Sequence, residues 1–322
     1  MSFSLTVLGS SSALPTSKRF TTAQVLNVHE RFFLIDCGEG TQIQLRRFSI
    51  NFLKINHIFI SHLHGDHVFG LFGLMSSYNL LNRKSDLHIY AHGDLEITLE
   101  HYKRYFGTGL SYAIVLHPFS TNNSAIIYSD RHMTIETVPL RHSIPAVGFI
   151  FREKEKLLNI KKEVIERYQP GIREIREIKE GKDYITPDGT QVSNEKLTLP
   201  RLRSRSYAFC TDTTVFPRLV EKLKDIDMLY FEATFANKDK KLAKLTGHTT
   251  ATQAAKLARD ANVGKLLIGH FSTRYKDITP LVVEARAIFE NTFAVEDGDN
   301  YPVELQRNTT SGDLHPPGNR IR

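Results

Sequence analysis

Residues 55–71 read INHIFISHLHGDHVFGL, and this stretch decides how the rest of the chain is interpreted. Its first part is a short apolar run of the kind that forms a buried strand, and the residues after His67 have helical spacing. Between the two lie four residues of metal-binding type, His62, His64, Asp66 and His67. Zinc accepts both imidazole nitrogen and carboxylate oxygen. The stretch therefore predicts a metal site at the carboxyl end of a strand.

The same arrangement, a ligand-type residue just after an apolar strand, recurs further along the chain. His142 follows ETVPLR, Asp212 follows YAFCT and His270 follows LLIG. If these strands share a sheet, all seven groups converge at one edge. A lone histidine at such a place is usually satisfied by backbone, but that interpretation does not explain the whole set. Asp36 also ends a strand, and we expect it to fix a neighbouring ligand, with direct ligation as the alternative.

Short apolar runs bounded by turn residues alternate with helical patterns, which indicates an α/β sandwich. Two of the predicted helices are TTATQAAKLARDA, from residue 249, and TPLVVEARAIFENTF, over residues 279–293. Residues 152–205 differ, because 14 Lys/Arg and 10 Asp/Glu give them a net +4 of the chain's +7. Within a strand-rich domain this suggests an inserted arm, and a merely solvated helical face is the alternative. Residues 306–322 are polar and predict a weakly ordered tail.

Composition limits the class of protein. No apolar run approaches the ~20 residues of a membrane span, and the N-terminus lacks the charged region of a secretory signal. The two cysteines, Cys37 and Cys210, lie in apolar stretches. We therefore expect a cytoplasmic protein with reduced thiols and no membrane partner, a disulfide being the alternative. The net charge of +7 permits a nucleic-acid partner without requiring one.

Together these segments resemble the metallo-β-lactamase superfamily and, within it, the tRNase Z family, which trims tRNA 3′ ends. The segments that carry the resemblance are LTVLGSSSALPTSKR, FLIDCGEGTQIQL, HIFISHLHGDHVFGLFGL, FEATF, GHTTATQAA and HFSTRY. The resemblance implies a catalytic domain over residues 1–305, folded as an αβ/βα four-layer sandwich. It also implies that a protruding, tRNA-binding arm is inserted at about residues 152–205.

The resemblance implies two zinc ions per chain. It assigns the ligands to two groups bridged by Asp212, namely His62, His64 and His142 for one ion and Asp66, His67 and His270 for the other. Asp66 would in addition orient the attacking water or accept its proton. Two metal ions can clamp an in-line phosphoryl displacement, which suits a phosphodiesterase.

The leaving 3′ oxygen needs a proton, because expelling an alkoxide is costly at neutral pH. The family pairs a glutamate in a HEAT motif with a histidine in an HST motif for this step. Here the motifs read FEAT and HTT, so the pair maps onto Glu232 and His248. The alternatives are a surface carboxylate and a helix N-terminal residue without a catalytic role.

Candidate substrate contacts lie in two places. Ser272 and Arg274 follow the ligand His270 and suit phosphate recognition, although Arg274 can instead pair with an acid. In the arm, the resemblance and the charge pattern favour backbone contacts by Arg173, Arg176 and Lys179. Two segments depart from the family: residues 15–20 lack its PxKxRN loop, which is linked to CCA recognition, and the arm's Gly-Pro motif is altered.

These features predict a zinc-dependent endoribonuclease that removes the 3′ trailer of precursor tRNA after the discriminator nucleotide and leaves a 3′-hydroxyl. The resemblance further implies a homodimer. The alternative is a small-molecule hydrolase of the same superfamily, such as a phosphodiesterase, a lactonase or an arylsulfatase-like enzyme. That class would share the metal ligands but would need neither the charged arm nor Glu232 and His248.

Overall fold

A computed structural model describes residues 2–307 of the chain. Its strands, in chain order, are β1 (Phe3–Gly9), β2 (Ala23–Val28), β3 (Arg31–Ile35), β4 (Ile55–Phe59), β5 (Leu87–His92), β6 (Ile114–Phe119), β7 (Ile126–Ser129), β8 (Met133–Pro139), β9 (Val147–Glu153), β10 (Asn159–Ile160), β11 (Tyr184–Ile185), β12 (Gln191–Val192), β13 (Thr198–Leu199), β14 (Ser206–Cys210), β15 (Met228–Glu232), β16 (Lys265–Gly269), β17 (Thr292–Ala294) and β18 (Asn300–Pro302). The tail predicted over residues 306–322 lies outside the described residues except for its first two positions.

The α-helices follow the strands in chain order. They are α1 (Thr41–Arg47), α2 (Gly65–Leu80), α3 (Leu95–Tyr105), α4 (Lys162–Tyr168), α5 (Ile172–Lys179), α6 (Asn194–Leu197), α7 (Pro217–Lys222), α8 (Lys240–Thr246), α9 (Ala251–Asp260) and α10 (Thr279–Arg286). The helix predicted over residues 279–293 is therefore too long, because it ends at Arg286 and residues 292–294 form β17. Pairing of β17 with β16 overrides the local helical pattern there.

Two seven-stranded sheets form the framework of the fold. Their strand orders are β18-β1-β2-β3-β4-β5-β6 and β17-β16-β15-β14-β9-β8-β7. Strands β3 to β6 are parallel in the first sheet, and β14 to β17 are parallel in the second. Parallel neighbours end at the same edge of a sheet, so the residues that follow β14, β15 and β16 come together.

Strand alternation divides the core into layers. In β3, Phe33 packs in the cluster between the two sheets, whereas Leu34 packs outward with residues of α1, α2 and α3. In β15, Tyr230 faces the other sheet and Phe231 packs with α7, α9 and α10. Strands β3 and β15 are therefore buried on both faces, with alternate residues in different layers of the core. The predicted αβ/βα four-layer sandwich is confirmed.

Three polar residues leave their strands in the left-handed backbone conformation. Asp36, Asp212 and His270 have φ angles of 55°, 52° and 59°. Such angles are uncommon for residues other than glycine, and they turn the chain sharply. All three side chains are buried. The fold thus holds a strained, polar turn at each of these strand ends, a feature that often accompanies functional sites.

The described chain divides into two compact units. Residues up to 152 and residues 206–303 form one unit, and residues 153–205 with residues 304–307 form the other. We call the first the catalytic unit and the second the arm. The arm has a small core of its own, formed by Val164, Ile178, Tyr184 and Leu197.

A buried ion pair joins the two ends of the arm. Arg205 donates from Nε to Oε2 of Glu153 at 3.0 Å and from Nη2 to Oε1 at 2.9 Å. The backbone N–H of Glu153 donates to the carbonyl of Arg205 at 2.9 Å, and Lys156 adds a bond of 2.8 Å to the carboxylate. Burial opposes ionisation, but the bonds from Arg205 and Lys156 lower the pKa of Glu153 to about 2.

Both cysteines are free and buried in the catalytic unit, in agreement with the reduced thiols expected from sequence. Cys37 packs in the outer core of the first sheet and Cys210 in that of the second. Among residues 2–307, no helix combines the length and the apolar character that crossing a membrane requires.

Candidate metal centre

The loop between β4 and α2 delivers the first ligand-type residues. His62 and His64 lie on extended chain before the helix, and Asp66 and His67 lie in its first turn. The helix begins because His64 takes an extended conformation and its carbonyl accepts the N–H of His67 at 3.1 Å. The sequence therefore places two ligands before the helix start and two after it.

Three imidazoles and one carboxylate form a first cluster. Nδ1 of His64 lies 3.1 Å from Nε2 of His62 and 3.2 Å from Nε2 of His142. Oδ1 of Asp212 lies 3.7 Å from Nε2 of His142 and 4.0 Å from Nε2 of His62. His142 comes from the loop after β8, so both sheets contribute to this cluster.

A second cluster shares the same aspartate. Oδ2 of Asp212 lies 3.3 Å from Nε2 of His67 and 3.3 Å from Nε2 of His270. Oδ2 of Asp66 lies 3.3 Å from Nε2 of His67 and 3.7 Å from Nε2 of His270. The two oxygens of Asp212 therefore face different clusters, which is the arrangement of a bridging carboxylate.

The spacing of these atoms suits metal ions. Bonds of about 2.0–2.1 Å to a tetrahedral zinc ion place neighbouring ligand atoms roughly 3.3 Å apart. The buried Nε2 atoms of His67 and His270 have no hydrogen-bond partner in the described chain. A buried polar atom without a partner is costly, and a cation removes that cost. The two clusters form a metal-binding site, and their nitrogen and oxygen donors fit zinc.

Outer hydrogen bonds fix the tautomers of the ligands. The hydroxyl of Ser61 donates to Asp36 at 2.9 Å, so it accepts from Nδ1 of His62 at 3.0 Å. Asp36 itself lies 2.7 Å from Nδ1 of His67. Because Nδ1 carries the proton, Nε2 of each ring is free to bind a metal. Asp36 also accepts the backbone N–H of Ser61, so it has the supporting role expected from sequence.

The charges of the site favour a cation at its centre. Burial lowers the pKa of His67, but Asp212, Asp36 and Asp66 outweigh burial and raise this pKa well above its usual value. Three carboxylates around one imidazole thus stabilise positive charge. The same negative charges stabilise a metal ion, and a histidine that binds the ion does so in its neutral form.

Glu232 and His248 lie directly beside the clusters. Glu232 ends β15 and is fully buried, which rules out the surface carboxylate considered from sequence. It accepts the N–H of Thr213 at 2.5 Å and of Thr249 at 3.0 Å, and its Oε2 lies 3.1 Å from Nδ1 of His248. Burial lowers the pKa of His248, but the charge and hydrogen bond of Glu232 raise it to about 9. Glu232 therefore favours the protonated form of His248 at the edge of the metal clusters.

Hydrogen bonds through Thr234 connect the Glu232–His248 pair to the ligand-type residue His270. The hydroxyl of Thr234 donates to Glu232 at 2.5 Å and accepts from Nδ1 of His270 at 3.0 Å. The two departures from the family motifs leave this network intact. Phe231 packs outward in the helix-facing core, and the hydroxyl of Thr249 donates to the carbonyl of Thr213 at 2.5 Å.

The structure does not bring all predicted contact residues to the clusters. Ser272 donates its N–H to the carbonyl of Thr234 at 3.2 Å, and the guanidinium of Arg274 lies 5.1 Å over the ring of Phe235. Neither Ser272 nor Arg274 lines the cleft at the metal site. Within residues 2–307, Arg274 has no acidic partner, so the pairing considered from sequence is not found.

The three basic residues singled out in the arm lie on α5. Arg173 and Arg176 are exposed and pair with Glu177 and Glu180, four residues further along the helix. Lys179 is the last residue of the helix and is partly buried. The predicted RNA contacts of these residues remain a prediction.

The metal clusters open into a cleft of about 580 Å³, which we call the metal cleft. One wall is the loop after β1, including Ala13, Leu14 and Pro15. Ala13 has a φ of 54° and donates its N–H to Oδ2 of Asp66 at 2.9 Å. This loop therefore positions a carboxylate of the second cluster.

A half-buried aspartate that sequence reasoning missed anchors this loop. Asp297 accepts the hydroxyl of Ser10 at 2.8 Å, the N–H of Phe20 at 2.7 Å and the amide of Gln44 at 3.2 Å. Burial raises the pKa of Asp297, and these bonds oppose the rise. The sequence around it, VEDGDN, has the composition of an exposed turn, so no local signal distinguishes it.

Comparison with known proteins gives consistent results. Ribonuclease Z from Phocaeicola vulgatus is 48% identical over 302 residues, covering 94% of this chain and 98% of the relative. Ribonuclease Z from Bacteroides thetaiotaomicron is 45% identical and covers 98% of this chain and 99% of the relative. A family model described as anti-Pycsar protein Apyc1 matches residues 3–158.

Solved structures agree with the sequence relatives. The short form of human tRNase Z is similar with a TM-score of 0.68 and 25% identity, covering 94% of this chain and 99% of that one. The metallo-β-lactamase fold protein YhfI from Bacillus subtilis has a TM-score of 0.66 at 16% identity, which supports the fold alone. With relatives above 40% identity over nearly the whole length, the chain belongs to the ribonuclease Z family.

Proposed function

We propose that this chain is a zinc-dependent endoribonuclease that removes the 3′ trailer of precursor tRNA after the discriminator nucleotide and leaves a 3′-hydroxyl. Membership of the ribonuclease Z family makes it a hydrolytic tRNA endoribonuclease. The single observation that carries the finer proposal is the pair of the buried Glu232 and the half-buried His248 directly beside the metal clusters. A hydrolase of small esters with good leaving groups has no need for such a proton donor.

Two zinc ions fit the two clusters that share Asp212. The ligands are those predicted from sequence: His62, His64 and His142 for one ion, and Asp66, His67 and His270 for the other. When bound, the ions supply Lewis acidity to the phosphate oxygens and to the attacking water. In the proposal Asp66 has a second role, because it lines the metal cleft, where it orients that water or accepts its proton.

His248 supplies the proton for the leaving group. Its Nδ1 faces Glu232, so Nε2 is the atom that donates towards the 3′ oxygen of the tRNA. Glu232 holds the ring in place and favours its charged form. General acid help of this kind contributes about 10²–10⁴-fold to a rate.

The substrate proposed is precursor tRNA, with the arm contacting the tRNA backbone through residues such as Arg173, Arg176 and Lys179. Ser272 and Arg274 do not line the metal cleft, so any phosphate that they contact lies outside it. A cytoplasmic homodimer is part of the proposal on family grounds. The small-molecule alternative is not favoured, because every near relative compared above is a ribonuclease Z.

The decisive experiment is incubation of the purified chain with a precursor tRNA that carries a 3′ trailer, followed by mapping of both products. The proposal requires one cut after the discriminator, a 3′-hydroxyl on the tRNA and a 5′-phosphate on the trailer. Cleavage of a small phosphodiester with no cut in the precursor would contradict it and favour the alternative class.

A further inference from the structure

Three histidines on neighbouring strands of the first sheet have no role in the metal centre. His57 lies in β4, His88 in β5 and His117 in β6. His57 and His88 are opposite each other in the register of their strands. His117 is opposite Tyr90, which lies two residues after His88. Because side chains alternate along a strand, all three histidines project from the same face. That face is the inner one, since the ring of His57 lies 4.9 Å from that of Tyr128 in the second sheet. We call these three residues the histidine row.

The histidine row is separate from the catalytic ligands. His57 lies inside β4, whereas the first of those ligands, His62, comes after that strand has ended. None of the three histidines belongs to a metal cluster described above. His88 and His117 are half-buried, so an ion can reach them from solvent.

Two imidazole nitrogens of the row are as close together as two ligands of one metal ion. Nδ1 of His88 lies 3.0 Å from Nε2 of His117. In the first cluster of the metal centre, the corresponding distances between imidazole nitrogens are 3.1 and 3.2 Å. Two bonds of about 2.0–2.1 Å at an angle of roughly 90–110° place the ligand atoms about 2.9–3.4 Å apart. A simple hydrogen bond between the two rings is the competing explanation.

Stacked rings hold this pair in place. The ring of Tyr90 is nearly parallel to that of His117, with the centroids 4.5 Å apart. The ring of His57 is nearly parallel to that of His88, with the centroids 5.1 Å apart. Rings that are already ordered lose little freedom when an ion binds, which favours binding. Nδ1 of His57 is buried and has no hydrogen-bond partner in the described chain, so a further nitrogen donor lies beside the pair.

The surroundings of the row select the kind of ion. Burial lowers the pKa of His57 to about 4 and also lowers the pKa of His117, and in each case His88 adds to the effect. These two rings are thus neutral at physiological pH, the form in which imidazole binds a metal. Within residues 2–307, no Asp or Glu forms an ion pair with the row. Ca²⁺ and Mg²⁺ require oxygen ligands, whereas neutral imidazoles suit Zn²⁺, Cu²⁺ and Ni²⁺. The charges of Arg31 and Arg83 also lower the pKa of His57, so the row holds a cation less tightly than the carboxylate-rich catalytic clusters.

We propose that His88 and His117 form a third metal site, which takes Zn²⁺ or a similar transition-metal ion after the catalytic clusters are filled. Water completes the coordination of the ion, and His57 is the further protein donor. The ion links β5 to β6, the terminal strand of the first sheet. A ligand that binds only the folded state stabilises it. Excess metal therefore slows the opening of this edge of the sheet.

The test is equilibrium dialysis of the purified, metal-loaded protein against excess Zn²⁺, followed by elemental analysis. The wild type should hold one ion more than His117→Asn or His88→Asn, and neither variant should lose catalytic metal. Asn keeps a polar amide in place of the ring, so a hydrogen bond across the pair can persist. His101→Asn is the matched control, because His101 is an exposed histidine on α3, and this variant should retain the additional ion. Dialysis against Mg²⁺ should add no ion to any of these proteins.

Hydrogen exchange gives a second readout and shows whether each variant is folded. Excess Zn²⁺ should slow exchange in β6 of the wild type and of His101→Asn, and should leave β6 of His117→Asn and His88→Asn unchanged. Because the result is a difference of one ion between proteins, it depends neither on the number of ions in the catalytic clusters nor on cleavage of tRNA.

Three outcomes would overturn the proposal. A wild type that takes up no additional ion would leave the pair as a hydrogen bond between two rings. An additional ion that persists in both His117→Asn and His88→Asn would place that ion elsewhere on the chain. Equal uptake of Mg²⁺ would show a site of different chemistry, made of oxygen ligands.

Discussion

The metal edge of the catalytic unit and the arm contain the same kinds of charged and polar residue but place them in different environments. At the metal edge, charged and polar groups are buried or half-buried, and several are fixed by further hydrogen bonds, as Ser61 fixes Asp36 and Thr234 fixes Glu232. In the arm, Arg173 and Arg176 of α5 are exposed, and they pair with Glu177 and Glu180, four residues further along the chain. We therefore expect activity to depend on the position of each group at the metal edge and on the number of charges in the arm.

This difference sets the size of mutational effects. A group held by a buried network cannot be replaced by a neighbour, so its loss removes a step of the reaction. Exposed charges contribute by neutralising phosphates, and each one adds a small, similar amount. We therefore expect large, specific effects at the metal edge and small, additive effects in the arm.

The largest effect is expected for Asp212. Asp212→Ala should reduce cleavage to the background rate and lower the metal content from close to two ions per chain, because both clusters lose a ligand. Asp212→Asn is the matched variant, since Asn tolerates the left-handed backbone of this position and removes only the charge. Both are checked by elemental analysis and by precursor cleavage. Full activity in either variant would refute the bridging role.

The next effect is expected for His248. His248→Ala should lower the single-turnover rate about 10²–10⁴-fold, the usual contribution of a general acid, with metal content near normal. A small phosphodiester with a p-nitrophenolate leaving group should be affected far less, because that group leaves without a proton. Loss of a metal ion from His248→Ala would show instead that this residue is a ligand. His101→Ala, an exposed histidine on α3, is the control for loss of a histidine.

A structural effect is expected at the base of the arm. Glu153→Gln leaves the buried guanidinium of Arg205 without its charged partner, which costs about 3–5 kcal/mol in other buried pairs. Hydrogen exchange should show faster opening of the arm and unchanged protection in the catalytic unit. Glu136→Gln breaks the half-exposed pair with Lys222 and should change stability by no more than about 1 kcal/mol. Equal effects of the two variants would contradict the distinction between buried and exposed pairs.

The same pair predicts a dependence on pH. The pKa of Glu153 is lowered to about 2 in the folded arm, from 4.5 for a free glutamate. Its contribution to stability is therefore complete above pH 4.5 and is lost as the pH falls from 4.5 towards 2. In Glu153→Gln this part of the acid response should disappear from the hydrogen exchange of the arm.

The smallest effects are expected on α5. Removing Arg173, Arg176 or Lys179 singly should weaken precursor binding slightly and reduce the slope of log affinity against log salt by roughly 0.7–0.9 for each lost contact. Hydrolysis of a small phosphodiester should not change. Arg259→Ala removes an equal charge from α9 in the catalytic unit and serves as the control. An equal change in slope for Arg259→Ala would show a general charge effect with no special role for the arm.

The sequence predicted the metal edge well because strand ends are visible in it. Three apolar runs followed by His or Asp predicted ligand-type positions, and the structure brings His142, Asp212 and His270 together with the HLHGDH loop. Parallel strands end at a common edge of a sheet. Recognising the short apolar runs as strands was therefore enough to predict that the residues after them lie close together.

What the sequence could not predict are contacts between distant segments. Asp297 joins three segments through hydrogen bonds, yet its local sequence is that of an ordinary turn. Residues 279–293 have a helical pattern throughout, and only pairing with β16 ends the helix early. Arg274 follows a ligand in sequence but lies in a turn closed by the N–H of Tyr275 and the carbonyl of Ser272, with its guanidinium over the ring of Phe235.

The ends of the arm have a consequence for the history of the fold. Strands β9 and β14 are antiparallel neighbours, and Arg152 lies opposite Ser206 in their register. Removing everything between these two residues leaves a pair of strands that a turn of two residues can join as an ordinary hairpin. A single insertion or deletion in the gene can therefore add or remove the arm while the ladder between β9 and β14 persists. Lineages that exchange one arm for another can do so without rebuilding the metal site.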